Sequence, residues 1–233
     1  MKYWDNLDSD LKKLLHDGYC YLSPIQDIFP LGDLYQSCAF EIGDKTYAEN
    51  LSAHKRFIEE IGVSSVLLPA LYALARTSMG YTGEGDDEYH ISRLVRPGDL
   101  SEGYRGHFDS HLFTLVIPVQ IPTNNEDNGP GSLIFYPNAR VEPKNEFHNF
   151  LGKLYFKRYA SETGFASLAN KSYQGISDFR DSRPLLFLGR QTFHGNLPVA
   201  TTISQNRLTL LSHFFDPGPS WGVGQILRKI RGR

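Results

Sequence analysis

The stretch RGHFDSHLFTLVIPVQI, residues 105–121, decides how the rest of the chain is read. Its second half, 112–121, is a nearly continuous apolar run of strand length, which fits a strand buried on both faces. Its first half carries His107 and Asp109. On an extended backbone these two alternate positions point to the same side, so an imidazole and a carboxylate stand together just ahead of a buried strand. They make two thirds of a facial metal triad. The third ligand must come from another strand.

His194, in Thr192-Phe193-His194-Gly195-Asn196, ends an apolar stretch at 184–193 that reads as a strand, and it is well placed for that role. Two imidazoles and one carboxylate on one octahedral face suit Fe(II) and leave further positions open. Arg207 follows thirteen residues after His194 and opens the strand RLTLLSHFF, 207–215. A hairpin-like return sets it beside His194. A buried arginine there needs an anionic partner, and a bidentate carboxylate is the geometric match.

Further strands read at 19–22, 89–96 and 132–136, separated by Gly, Pro and Asn turns such as TNNEDNGPG at 123–131. Ahead of them lie helical patterns at 7–15, 27–37, 51–61 and 66–79. The fold class expected is mainly β with helical support: an antiparallel sandwich or barrel at about 89–216 preceded by helices at about 1–88. A helical insertion, 141–182, interrupts the strands, and a basic tail follows at 217–233.

The chain has 233 residues and a mass of 26.4 kDa. That predicts one domain over 1–233, since single cores stop growing near 250–300 residues. With 40% hydrophobic and 21% charged residues, a disordered, collagen-like or coiled-coil chain is excluded. A formal charge of -2 gives no basic excess for a nucleic-acid partner. Cys20 and Cys38 are too few for a disulfide framework or a Cys-rich zinc site. Residues 1–7 lack a secretory pattern, and the longest apolar stretches fall short of a membrane span of about 20 residues. A soluble, cytoplasmic setting with no transmembrane segment is expected.

HFD, then TFHGN, then NRLTL gives the order His-X-Asp, distal His, following Arg. In this the chain resembles the iron(II)- and 2-oxoglutarate-dependent dioxygenases, over about 89–216. It looks closest to their phytanoyl-CoA-hydroxylase-like and small-molecule hydroxylase branches, whose distal motif also joins a His and an Asn to a later Arg. The prolyl-hydroxylase branch usually has Lys where Arg207 stands. The resemblance implies a double-stranded β-helix (jelly-roll) core, with His107, Asp109 and His194 as iron ligands. It also implies Arg207 as the partner of the distal carboxylate of 2-oxoglutarate. Fe(II), 2-oxoglutarate and O2 are then the cofactor and co-substrates, with hydroxylation of a small-molecule C–H bond and release of succinate and CO2. The alternatives are a cupin-like metal enzyme that does not use 2-oxoglutarate, and a non-catalytic jelly-roll binding protein.

Other residues have blander readings beside functional ones. Thr114 and Thr209 are candidates to offer hydroxyls to the co-substrate. His111 reads as a pocket-lining or core histidine, His90 and His213 as packed histidines, and His16, His54 and His148 as surface residues. Arg93, Arg96, Arg105 and Arg190 fit an anionic substrate or pairing with Asp86, Asp87, Asp99 or Glu102. Phe147, Phe150, Leu151, Leu154 and Tyr155 recur at helical spacing, so one face of the insertion can pack on the barrel, and 141–182 reads as a substrate lid or as a helix that merely covers a sheet. Arg228, Lys229, Arg231 and Arg233 make the tail a candidate for peripheral membrane contact, against the plainer reading of a frayed terminus.

Overall fold

The computed structural model describes residues 2–26, 29–122 and 129–218. Its helices are α1 (Leu7–Asp17), α2 (Leu31–Ile42), α3 (Ser52–Glu60), α4 (Leu68–Ser78), α5 (Glu146–Phe156) and α6 (Glu162–Ala169). Its strands are β1 (Tyr19–Tyr21), β2 (Tyr47–Glu49), β3 (Glu88–Val95), β4 (Phe113–Gln120), β5 (Leu133–Tyr136), β6 (Gly175–Ser177), β7 (Leu185–Leu188), β8 (Phe193–Asn196) and β9 (Arg207–Phe214). They form one sheet in the order β1-β7-β4-β9-β3-β2 and a second in the order β6-β5-β8, with antiparallel pairing throughout the described ladders.

β4 shows why this is a sandwich with helices behind it. Its pleat sends Phe113, Leu115, Ile117 and Val119 into one core with Leu14, Phe57, Leu67 and Leu71 of the N-terminal helices. Val116, on the opposite face, packs with Leu133 and Phe135 of β5. A strand covered on both sides has no polar face to show, hence the unbroken apolar run.

Several elements depart from the sequence expectation. The stretch 184–193 is two strands in different sheets, β7 and β8, because the chain turns at 189–192. There Gly189 donates to the Leu112 carbonyl at 2.8 Å, and a Cβ on it would lie 2.7 Å from the His111 carbonyl oxygen. An apolar run does not record a change of partner. The second helix begins at Leu31 rather than 27, directly after Pro30. β2 and β6, three residues each, have no pattern of their own.

α5 is turned away from its expected packing. Phe147, Phe150, Leu151, Leu154 and Tyr155 are 43–66% exposed, while Asn149 and Phe156 face the protein. The reason is a polar anchor: Arg140 Nη2 donates to Asn149 Oδ1 at 2.8 Å, and Asn149 Nδ2 donates to Glu146 at 3.1 Å. His54 also departs from its expected surface position. It is buried beneath β3, with Nδ1 3.1 Å from Ser92 Oγ.

Cys20 and Cys38 are buried free thiols. No single described helix is long and apolar enough to cross a membrane. Most of the turn at 123–131 and of the tail, from 219 on, lies outside the described residues.

Candidate metal centre

His107 stands just ahead of β4, and His194 lies within β8. Their backbones meet in an isolated antiparallel bridge, each N–H donating to the other's carbonyl at 3.0 Å. The pleat then places both rings on one side, with centroids 4.4 Å apart. Asp109 reaches between them: Oδ1 is 3.6 Å from His107 Nε2 and Oδ2 is 3.7 Å from His194 Nε2. One donor atom from each of the three lies within 4.8 Å of the others, a spacing that fits a single ion.

Both rings are held in the same tautomer. Nδ1–H of His107 donates to the Arg105 carbonyl at 2.8 Å, and Nδ1–H of His194 donates to the Thr192 carbonyl at 3.1 Å. A carbonyl can only accept, so each Nδ1 carries the proton and each Nε2 keeps its lone pair for a ligand. The crowded cleft wall and the neighbouring His194 push the His107 pKa down to about 4, although its ring stays half-exposed at the cavity, and burial lowers that of His194. Burial alone would raise the Asp109 pKa, but His194, His213 and His107 and the Thr114 hydroxyl outweigh it and hold the carboxyl below its usual range. Neutral imidazoles around an ionised carboxylate are the protonation states that a divalent metal requires.

Thr114 is spent on this centre. Its Oγ1 donates to Asp109 Oδ2 at 2.6 Å and lies 3.1 Å from His213 Nδ1, so its work is to orient the carboxylate. Thr209, by contrast, lines the cavity into which the triad opens. That cavity has a volume of about 770 Å³, with His107, Asp109, His194, Arg207, Thr209 and Arg93 in its walls, and His111 and His213 line it as well.

Arg207 is 2% exposed. It does not return to His194 by a hairpin, since β9 lies in the other sheet, between β3 and β4. The link crosses the sandwich through Asn196: Nη2 of Arg207 donates to Asn196 Oδ1 at 2.9 Å, and Nη1 donates to Thr209 Oγ1 at 3.1 Å. Its Nε is buried with no hydrogen-bond partner, and no described carboxylate forms an ion pair with it. Burial, with Arg93 nearby, pushes its pKa down to about 9. Gly131 presses against the same side chain. Its φ of +76° suits glycine, and a Cβ there would lie 2.6 Å from Arg207 Cδ.

Of the remaining arginines, Arg93 and Arg105 each donate to Glu102 at 2.6 Å, and Tyr47 donates its hydroxyl to the same carboxylate. Arg96 binds the backbone carbonyls of 43–45, and Arg190 is paired with Glu142 and Glu146. Sequence reasoning named Glu102 only as a partner and overlooked Asn196 as an orienting group. Its signal was present: Asn196 lies two residues from His194, hence on the same face of the strand.

No family model and no curated protein matches the sequence. Solved structures do. A prolyl hydroxylase from Trichoplax adhaerens, in complex with a hypoxia inducible factor oxygen degradation domain peptide fragment, is 15% identical. The match covers 100% of this chain and 95% of that one at a TM-score of 0.51. The non-heme alpha ketoglutarate dependent epimerase SnoN from nogalamycin biosynthesis is 11% identical, covering 90% and 82% at 0.51. AviO1 from Streptomyces viridochromogenes is 15% identical, covering 91% and 96% at 0.50. The chain has the jelly-roll fold of the 2-oxoglutarate-dependent oxygenases. That fold spans a protein solved with a peptide and one from nogalamycin biosynthesis, so it does not select between the branches that Arg207 was read to separate.

Proposed function

We propose that this chain is an iron(II)- and 2-oxoglutarate-dependent oxygenase that hydroxylates a C–H bond of a small molecule. In this reading His107, Asp109 and His194 hold the iron, and Arg207 receives the distal carboxylate of 2-oxoglutarate. The observation that carries it is Arg207: a buried guanidinium, without a described carboxylate partner, in the wall of the cavity that holds the triad. A buried cation without an anion is costly, and a bound dicarboxylate relieves that cost.

The residues around it fit the part. Asn196 fixes the plane of the guanidinium. Thr209 accepts from Nη1, which leaves its own O–H to donate to a carboxylate. Thr114 orients Asp109, and the two Nδ1–H bonds aim both imidazoles. Iron with 2-oxoglutarate and O2 supplies the oxidising chemistry, with succinate and CO2 as by-products. A cupin-like metal enzyme accounts for the triad but gives Arg207 no anion to bind. A non-catalytic jelly roll accounts for neither.

The test is release of succinate from 2-oxoglutarate by purified protein reconstituted with Fe(II), read beside Asp109→Ala. Metal-dependent release that disappears in the variant, with circular dichroism unchanged, is the expected result. Equal release by both proteins removes Asp109 from the metal. No metal-dependent release, together with no binding of 2-oxoglutarate by titration calorimetry, overturns the reading.

A further inference from the structure

The outward face of α5 is an apolar surface that the packing of the fold leaves unexplained. Phe147, Phe150, Leu151, Leu154 and Tyr155 follow the i, i+3, i+4, i+7, i+8 spacing of one helical stripe, and every one of them is exposed. Stripes of this kind normally mark the side of a helix that packs, yet here the packed side is held by Asn149, Phe156 and the Arg140 anchor. Five large apolar side chains pointing outward from one short helix are a contact surface rather than scattered exposure.

Charge says what the contact is. From 147 to 161 the chain has no Asp or Glu, with exposed Glu162 following; Lys157 and Arg158 lie there, while Lys153 donates to Ser110 Oγ at 3.2 Å. Lys144 precedes the helix and is exposed. Glu146, at the first turn, is tied to Arg190 at 3.0 Å. The cations flank the apolar stripe: Arg158 lies 3.7 Å over the Tyr155 ring, and Lys157 reaches the rim of the cavity. This local excess stands on a chain whose net charge is -2. A second copy is a poor occupant, because its own 147–161 face brings the same Lys and Arg residues and no carboxylate to pair with them. An apolar stripe edged by long basic side chains matches an interface of acyl chains beneath anionic headgroups.

We propose that the outer face of α5 docks this protein on an anionic lipid surface, with Phe147, Phe150, Leu151 and Leu154 entering the acyl region and Lys157 and Arg158 meeting the headgroups. Because Lys157 and Ala160 also line the cavity, docking sets its mouth against the membrane. The proposal rests on the surface alone and stands or falls apart from the iron chemistry.

The full chain is tested by co-sedimentation with phosphatidylcholine vesicles and with mixed phosphatidylcholine–phosphatidylglycerol vesicles. Binding to the mixed vesicles only, weakening with salt, is expected. Phe150→Asp with Leu154→Asp should lose more than about tenfold in partition, since two buried apolar side chains are replaced by charges. The pair lies outside the cavity and the core, so thermal unfolding and 2-oxoglutarate binding should not change. Lys157→Gln with Arg158→Gln should lose about fivefold per charge. No binding to the mixed vesicles overturns the proposal. So does equal binding by the α5 variants, which assigns the attraction to the basic tail at 228–233. A dimer in sedimentation velocity that Phe150→Asp with Leu154→Asp disperses overturns it in favour of self-association.

Discussion

Arg207→Met keeps the bulk of a buried side chain and removes its charge. Two opposing quantities set the outcome in the ligand-free protein. Burial brings the guanidinium from an ordinary 12.5 to about 9, which penalises the charged form by roughly 5 kcal/mol at about 1.4 kcal/mol per unit. The hydrogen bonds to Asn196 and Thr209, at 2.9 and 3.1 Å, come from a charged donor. Each returns about 1.5–3 kcal/mol. The two effects nearly cancel, so the stability of the free variant should lie within about 2 kcal/mol of wild type, in keeping with exchanges of buried charge for apolar bulk. Binding of 2-oxoglutarate has no such compensation. Loss of one partner of a desolvated charge pair costs about 2–5 kcal/mol, roughly 30- to 5,000-fold in Kd. The assay is urea unfolding of the free protein beside titration calorimetry of 2-oxoglutarate into the metal-loaded protein under nitrogen. A variant that binds 2-oxoglutarate like wild type and unfolds more than about 4 kcal/mol more easily refutes the argument. Arg207 would then be a tie across the sandwich and not an anion seat.

Gly131→Ala places a methyl group against Arg207 Cδ on a backbone with φ +76°. It should cost about 1–3 kcal/mol in unfolding and weaken 2-oxoglutarate binding, and wild-type values in both would remove Gly131 from the site. Glu102→Gln leaves Arg93 buried without its anion and should lower stability at neutral pH by about 3–5 kcal/mol. Burial works against the Glu102 carboxylate, but Tyr47, Arg93 and Arg105 hold its pKa below the ordinary 4.5. Its contribution is therefore complete above that value and is lost as pH falls through the lower folded one, so the variant should show a flatter acid limb in pH-dependent unfolding. Burial and the neighbouring His90 push the His54 pKa from 6.5 to about 3. The unfolded chain takes up that proton first, so stability should drop as pH is lowered from 6.5 toward 3, by up to about 1.4 kcal/mol per unit. His54→Leu should abolish this slope, and an unchanged slope would show that His54 is not its source.

The four residues proposed as ligands were easier to read from sequence than the residues packed around them. His107, Asp109, His194 and Arg207 announced themselves because few apolar strands end in such groups, and the strand period put two of them on one face. Glu102, Asn196 and Gly131 act across the fold, and local periodicity says nothing about what another sheet will bring near. The same limit explains the division of 184–193 between two sheets: β7 and β8 are equally apolar, and only their partners differ. α5 was read with its apolar stripe inward because hydrophobicity usually decides helix rotation. Here Asn149, buried and bonded to the partly buried Arg140, takes the inward side instead. His54 looked like a surface residue beside Lys55 and Arg56, since composition cannot show which side of a helix meets a sheet.

The bridge between His107 and His194 imposes a reading frame on the chain. Two reciprocal bonds at 3.0 Å join these residues, and one belongs to the approach to β4 while the other belongs to a strand of the opposite sheet. Adding or deleting a single residue between His107 and β4, or between β7 and His194, would turn one imidazole to the far side of the pleat. The lengths of those connections are fixed, as are Asp109 in the first and Gly189 in the second, where a Cβ would lie 2.7 Å from the His111 carbonyl oxygen. Length variation in this chain should therefore collect elsewhere, as in the segment between β5 and β6 that carries α5 and α6, where an added turn leaves both imidazoles in place.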